Sequence, residues 1–210
     1  VVESGPVRVA LEIRREAYGS EFLQTIRLGS GCVGECIQFD TRVTWQTKGM
    51  LLKAAFPLTA EAKEATYDLG LGTIRRGNNR ERLHEVPAQQ WADLTDESGE
   101  FGVSLFSDCK YGWDKPDDHT LRLTLLHTPE MTGFHCWLGG AEFDDYFLEQ
   151  DRLDFGHHRM VYGLSAHKGD WRTGRTPRKT ACFNQPLLAF ETTKHPGNFG
   201  RDFSFGALNT

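Results

Sequence analysis

Hydrophobic and polar residues alternate with period two along most of this chain. Val7, Val9, Leu11 and Ile13 alternate with Arg8, Ala10, Glu12 and Arg14, which predicts a strand with one buried face. Residues 22–28, 37–45, 50–56, 66–74, 102–106, 121–126, 160–165, 187–191 and 203–207 read as further strands. They are rich in the Thr, Val, Phe and Trp that suit a pleated, half-buried surface. The 22 glycines fall mostly between these runs, where turns need them. Helix signals are weak. Residues 59–65 have helix-forming composition but suffice for only a turn or two, and residues 144–152 read as a short helix or an acidic loop. Strand-helix-strand alternation is missing, and so is any repeat of twenty to fifty residues. So many strand edges must be paired or closed, which favours two stacked sheets. The predicted class is all-β, a large antiparallel β-sandwich with little helix.

The chain's 210 residues suit one such domain, and 39% hydrophobic residues suffice for a real core. A net charge of -5, without a basic and aromatic stripe, gives no case for nucleic acid. The apolar runs are too short to span a bilayer as a helix. Cys32, Cys36, Cys109, Cys136 and Cys182 are odd in number and irregular in spacing, so reduced thiols in a cytoplasmic protein are the simpler expectation. The sequence opens Val-Val-Glu-Ser-Gly-Pro and closes on an alternating run, so a piece of a longer polypeptide is expected.

Groups able to do chemistry are scattered. Cys32 and Cys36 form a lone pair without a second pair to complete a metal site. His157 and His158 are adjacent and on a strand face opposite sides. His167, in Ser165-Ala-His-Lys-Gly-Asp170, is either a sugar-facing or a structural histidine at a strand end. No Gly-x-Ser-x-Gly elbow supports a triad. Glu142, Asp144, Asp145, Glu149, Asp151 and Asp154 crowd together, yet a glycosidase needs two carboxylates facing one bond, and density alone does not supply that. A solvated acidic loop is the simpler account, and the EF-hand pattern is absent. Trp45, Trp91, Tyr111, Trp113, Trp137 and Trp171 are candidates for stacking on sugar rings, most of them more simply explained by packing.

The most informative stretch runs from Glu85 to Pro129. It holds Glu85-Val-Pro-Ala-Gln-Gln-Trp91-Ala-Asp-Leu, then Phe101-Gly-Val-Ser-Leu-Phe-Ser-Asp108-Cys-Lys-Tyr-Gly112-Trp-Asp, then Leu121-Arg-Leu-Thr-Leu-Leu-His-Thr-Pro129. These motifs, in this order, resemble the C-terminal β-domain of glycoside hydrolase family 38 α-mannosidases, in particular the cytosolic and bacterial branch. Ser107 stands where that pattern usually has Asn, and His127 where Arg is common. Leu51 to Leu58, Tyr162 to Trp171 and Asn184 to Leu188 extend the similarity, which covers roughly residues 30 to 190.

That resemblance implies a galactose-mutarotase-like supersandwich inside a zinc-dependent retaining α-mannosidase. The zinc ligands and the nucleophile are expected on a catalytic barrel outside this chain, because no His-x-Asp zinc motif occurs here. No catalytic residue and no metal ligand are therefore assigned. Partners implied are that catalytic domain and an α-mannoside. The substrate-binding candidates are Asp108, Lys110, Tyr111 and Trp113, on a loop after a strand, together with His167. A turn in which Asp108 merely satisfies backbone amides is the competing account. Two other functions fit an all-β fold: a free-standing carbohydrate-binding module, and a mutarotase-like sugar epimerase, which needs a histidine and a carboxylate converging on one sheet face.

Overall fold

A computed structural model of the protein describes residues 1–31, 35–129, 153–194, 196–200, 203, 204 and 206. Among the described residues thirteen strands and one helix follow in chain order: β1 Glu3–Ser4, β2 Arg8–Ala17, β3 Ser20–Gly29, β4 Ile37–Trp45, β5 Met50–Pro57, β6 Glu64–Asp68, β7 Thr73–Gly77, β8 Val86–Pro87, β9 Trp91–Thr95, β10 Phe101–Ser107, β11 Gly112–Asp117, β12 Thr120–Thr128, β13 Gly156–Lys168 and α1 Thr176–Asn184. They form two antiparallel sheets. The large one has the order β1-β2-β3-β4-β13-β10-β9-β6-β7, and the small one β5-β12-β11-β8. The all-β sandwich expected from the alternation is what the chain forms.

Between the sheets lies one continuous core. Val43, Trp45, Tyr67, Leu94, Leu105, Met160 and Tyr162 reach it from the large sheet, and Trp113, Leu121, Leu123 and Leu126 from the small one. Phe39 and Tyr162 stack at 5.4 Å, and Phe56 meets both rings edge-on at 5.8 and 6.1 Å. These edge-to-face contacts stitch β5 to β4 and β13.

Turn chemistry fixes the registers. The β2–β3 hairpin closes through Tyr18 and Gly19, both at positive φ (51° and 79°), as a two-residue turn that matches strand twist. The strand expected over residues 66–74 is instead a hairpin, β6 and β7. Gly70 at φ 82° lets the chain reverse, and Leu69 N–H donates to Gly72 O at 2.9 Å.

Three expectations meet a different outcome. Residues 59–63 are not helical, because their polar backbone is used elsewhere. The fully buried Lys115 donates to Ala62 O at 2.5 Å, and Ala62 N–H donates to Asp118 O at 3.0 Å. Residues 187–191 form no strand: Leu187, Leu188 and Phe190 are exposed, so their apolar side chains are not packed as a buried strand's would be. Of the strand expected over residues 203–207, Phe203, Ser204 and Gly206 lie outside any strand. The candidate element at residues 144–152 lies outside the described residues.

Helix α1 was silent in the pattern. Its buried face is Thr176 and Thr180, with Phe183 three residues on against Phe106 at 5.7 Å. No side chain caps its N-terminus, and Arg175 there takes φ 53°. Hydroxyls in place of leucines remove the usual helical signature.

Among the described residues Trp113 is the largest side chain with no exposure, and its indole N–H has no partner. Packing is therefore its whole contribution. Trp113→Ala is expected to lower stability by about 3–5 kcal/mol, and Trp113→Phe by less, measured by denaturant titration.

Candidate functional site

Strand β10 belongs to the large sheet and β11 to the small one, so residues 108–111 carry the chain across the end of the sandwich. Both feet of this crossing are tied. Ser107 N–H donates to Gln90 O at 2.9 Å, and Asp108 N–H to Val161 O of β13 at 3.1 Å. Asn184, at the end of α1, donates its side-chain N–H to Ser107 O at 3.1 Å. At the far foot, Ala88 N–H donates to Tyr111 O at 3.0 Å. The turn's own amide, Lys110 N–H, is taken by Ser107 Oγ at 2.9 Å. Ser107 thus does the work that a purely structural Asp108 would have done.

Asp108, Lys110 and Tyr111 are left to face outward. Asp108 is exposed, Lys110 is half-buried with no ion pair among the described residues, and Tyr111 is 54% exposed. A carboxylate, an ammonium and a phenol on one anchored loop are the groups that hydrogen-bond polyols.

The other two candidates do not join them. Trp113 points into the core. His167 pairs with Gly102, at the opposite end of β10 from the loop, roughly 17 Å along the strand. Its ring is buried: Nε2 lies 2.7 Å from Asp93 Oδ2 and 3.1 Å from Ser104 Oγ, and Nδ1 lies 3.1 Å from Gly169 O. Ser104 Oγ in turn lies 2.5 Å from Thr176 Oγ1 and donates to Asp93 Oδ2 at 2.7 Å. Ser, His and Asp meet here, but not as a nucleophilic triad. Nε2, which must accept the serine proton in a triad, faces Asp93 instead, and the serine proton also goes to that carboxylate. The cluster fastens α1 to the outer face of the large sheet. Glycines flank the ring on both sides: a Cβ at Gly102 would fall 2.5 Å from His167 Cε1, and one at Gly174 2.5 Å from its Cγ.

Two charged clusters border the loop, neither marked by a motif. On the large sheet, Asp40 accepts from Arg159 Nε at 3.0 Å and Nη2 at 2.9 Å, and from Arg27 Nη1 at 3.0 Å. The hydrogen bond from Arg159 is the main cause that holds the Asp40 carboxyl below the usual carboxylate range. Asp40 likewise raises Arg159, with Asp108 adding its charge. On the small sheet, Asp114 is buried between Lys53 and Arg122, whose Nε lies 2.5 Å from Asp114 Oδ1. Lys53 also donates to Glu85 at 3.0 Å. Glu85 lies over Gly112, where a Cβ would come within 1.9 Å of its Oε1. Lys53, Asp114 and Arg122 are outward positions on three neighbouring strands, and only the strand order brings them together.

The remaining candidates fall elsewhere. Trp45 and Trp91 are buried, and Trp91 packs on Trp171 at 5.2 Å, so none of these offers an open platform for a sugar ring. His157 and His158 face opposite sides of β13, against Thr44 Oγ1 at 3.1 Å and Asp154 O at 2.9 Å. Asp154 accepts from His127 N–H at 2.9 Å. Cys36, Cys109 and Cys182 are unpaired thiols, and burial pushes Cys36 up to about 11. Cys32, Cys136, His135, Trp137 and the acidic residues 142–151 lie outside the described residues. Among the described residues no three His, Cys, Asp or Glu side chains converge as metal ligands. No described helix is long and apolar enough to cross a membrane.

The sandwich has known counterparts. The family described as "Glycosyl hydrolases family 38 C-terminal domain" matches residues 1–145. This chain belongs to that family. Alpha-mannosidase G of Dictyostelium discoideum is 25% identical over 206 residues, which are 91% of this chain and 17% of that protein. Alpha-mannosidase 2C1 of Homo sapiens is 29% identical over 175 residues, 81% of this chain and 15% of that protein. An alpha-mannosidase from Enterococcus faecalis V583 has the same fold, with a TM-score of 0.69 at 19% identity over 85% of this chain and 19% of its own. The chain thus spans less than a fifth of the length of these relatives.

The Asp40 cluster sets a pH dependence. A carboxyl depressed in the folded state stabilises above its unfolded value, about 3.9, and that stability is lost as the pH falls through the lower folded value. Asp40→Asn is expected to remove this contribution, so that the melting temperature between pH 6 and about pH 3 falls less steeply than in the wild type.

Proposed function

We propose that this chain is a non-catalytic domain of a longer, zinc-dependent, retaining α-mannosidase, and that its Asp108 to Tyr111 loop forms one wall of the mannose pocket. The observation that carries the reading is the loop: three polyol-binding groups, held at both feet, presented at the rim where the two sheets meet. Clefts of about 450, 550 and 420 Å³ lie elsewhere on the domain, and none is lined by Asp108, Lys110 or Tyr111. An exposed, anchored loop is suited to complete a site whose remaining walls come from another domain.

In this reading the nucleophile, the acid/base carboxyl and the zinc belong to the catalytic domain, and the loop supplies binding energy. Lys110 and Asp108 would hydrogen-bond sugar hydroxyls, and Tyr111 would offer both a phenol and a ring face. Contacts that tighten as the ring flattens raise kcat, and contacts equal in both states lower KM. The unpaired thiols fit a reducing compartment, and a cytoplasmic enzyme of the cytosolic and bacterial branch is the setting proposed.

In the full-length enzyme, Lys110→Ala and Tyr111→Ala are each expected to lower kcat/KM for an aryl α-mannoside by about tenfold to a hundredfold, the scale of one lost charge-assisted or aromatic contact. Melting temperature should be unchanged, since Lys110 pairs with no described residue and Tyr111 is exposed. Wild-type kinetics would sink the reading. Calorimetry of the isolated chain with methyl α-mannoside is expected to show no heat of binding, because one wall alone does not enclose a sugar.

A further inference from the structure

Helix α1 lies on the outer face of the large sheet and follows β10 towards the loop. At its start, Thr176 Oγ1 lies 2.5 Å from Ser104 Oγ. At its end, the Phe183 ring packs on Phe106 at 5.7 Å, and Asn184 Nδ2 donates to Ser107 O at 3.1 Å. The two elements keep step: Ser104 to Ser107 is about 10 Å of strand, and Thr176 to Asn184 about 12 Å of helix. Between these points Lys179 Nζ donates to Ser165 Oγ on β13 at 3.1 Å. The start of the helix is locked in place. Thr176 is fully buried, and its hydroxyl meets a serine that also donates to Asp93 and lies 3.1 Å from His167 Nε2. A buried network of this kind holds one geometry, because a shifted helix leaves a polar atom unpaired. The last residue of α1 is therefore delivered to one place, the carbonyl of Ser107.

Ser107 is where the loop leaves β10. The peptide plane that joins it to Asp108 is held on both edges: Asn184 grips the carbonyl, and the N–H of Asp108 donates to Val161 O at 3.1 Å. The Ser107 hydroxyl then accepts from Lys110 N–H at 2.9 Å. That bond fixes the backbone of Lys110, and with it the direction in which the lysine side chain leaves the loop. Tyr111 is governed separately, its carbonyl accepting from Ala88 N–H at 3.0 Å.

We infer that α1 is the brace of this loop, and that Asn184 and Ser107 are positioning residues that aim Lys110 at the substrate. The inference rests on the proposal that the loop forms one wall of a mannose pocket. Neither residue touches the sugar: Asn184 acts through the Ser107 carbonyl, and Ser107 through the Lys110 amide. A side chain held in place before the sugar arrives binds it without the cost of being ordered, and a displacement of about 1 Å is enough to slow a reaction severely.

Steady-state kinetics of the full-length protein on an aryl α-mannoside test it. Ser107→Ala removes the acceptor for the Lys110 amide, and Asn184→Leu removes the donor to the Ser107 carbonyl while keeping a branched side chain. Each is expected to lower kcat/KM about tenfold. Ser107→Asn returns a side-chain oxygen to the same amide and is expected to recover most of that loss. The deciding measurement is coupling. With Lys110→Ala already present, either substitution is expected to change kcat/KM by less than about twofold, whereas with Tyr111→Ala present the fall of about tenfold remains. A merely structural role predicts the same fall in both backgrounds. That result overturns the inference, and so do wild-type kinetics in both Ser107→Ala and Asn184→Leu. Should Ser107→Ala fail to fold, Asn184→Leu, at a half-buried helix end, carries the comparison alone. Lys110→Ala and Tyr111→Ala by themselves report on the proposed function: wild-type kinetics in these two defeat that proposal. A slowed Lys110→Ala beside unaffected Ser107→Ala and Asn184→Leu defeats only this inference.

Discussion

Trp113, Leu121 and Leu123 on one side and Tyr67, Leu105 and Met160 on the other meet in a single buried layer. Both sheets depend on that contact, because neither is apolar on two faces and each needs the other to keep one face dry. Strand β10 enters the layer from the large sheet and β11 from the small one, so the short crossing between them is held wherever the layer holds. The rigidity of the candidate site is therefore borrowed from the core. Its hydrogen bonds at Ser107, Asp108 and Tyr111 set the direction of the loop, and the packing beneath sets its position.

Most of the sandwich was legible because strand alternation is a direct imprint of burial. The elements that escaped are those where burial is made by other means. Helix α1 buries threonines and fastens itself with Ser104 and His167, which no hydrophobic pattern marks. Residues 59–63 have the composition of a helix, yet a single buried ammonium, Lys115, claims the carbonyl at Ala62. The hairpin of β6 and β7 was hidden because one glycine at positive φ reverses the chain inside an otherwise uniform run.

At the site, the loop of Asp108, Lys110 and Tyr111 was readable, since those residues sit between a strand and a glycine. Trp113 and His167 were not correctly placed by proximity in sequence or type. Trp113 lies two residues beyond Tyr111 but on the inner side of its strand, and His167 lies at the wrong end of β10's partner strand. The ion clusters around Asp40 and Asp114 were invisible for a related reason. Their members come from β3, β4 and β13, or from β5, β11 and β12, and only the strand order brings them together.

The setting of His167 has a consequence for how the sequence drifts over time. Its ring fills the space that a methyl group on either Gly102 or Gly174 would occupy, each at 2.5 Å. Neither glycine tolerates alanine while the imidazole stays, and an imidazole lost alone leaves a void beside a buried carboxylate. The three positions are thus coupled, to be changed as a set or not at all, although Gly102 lies 65 positions before His167 and 72 before Gly174.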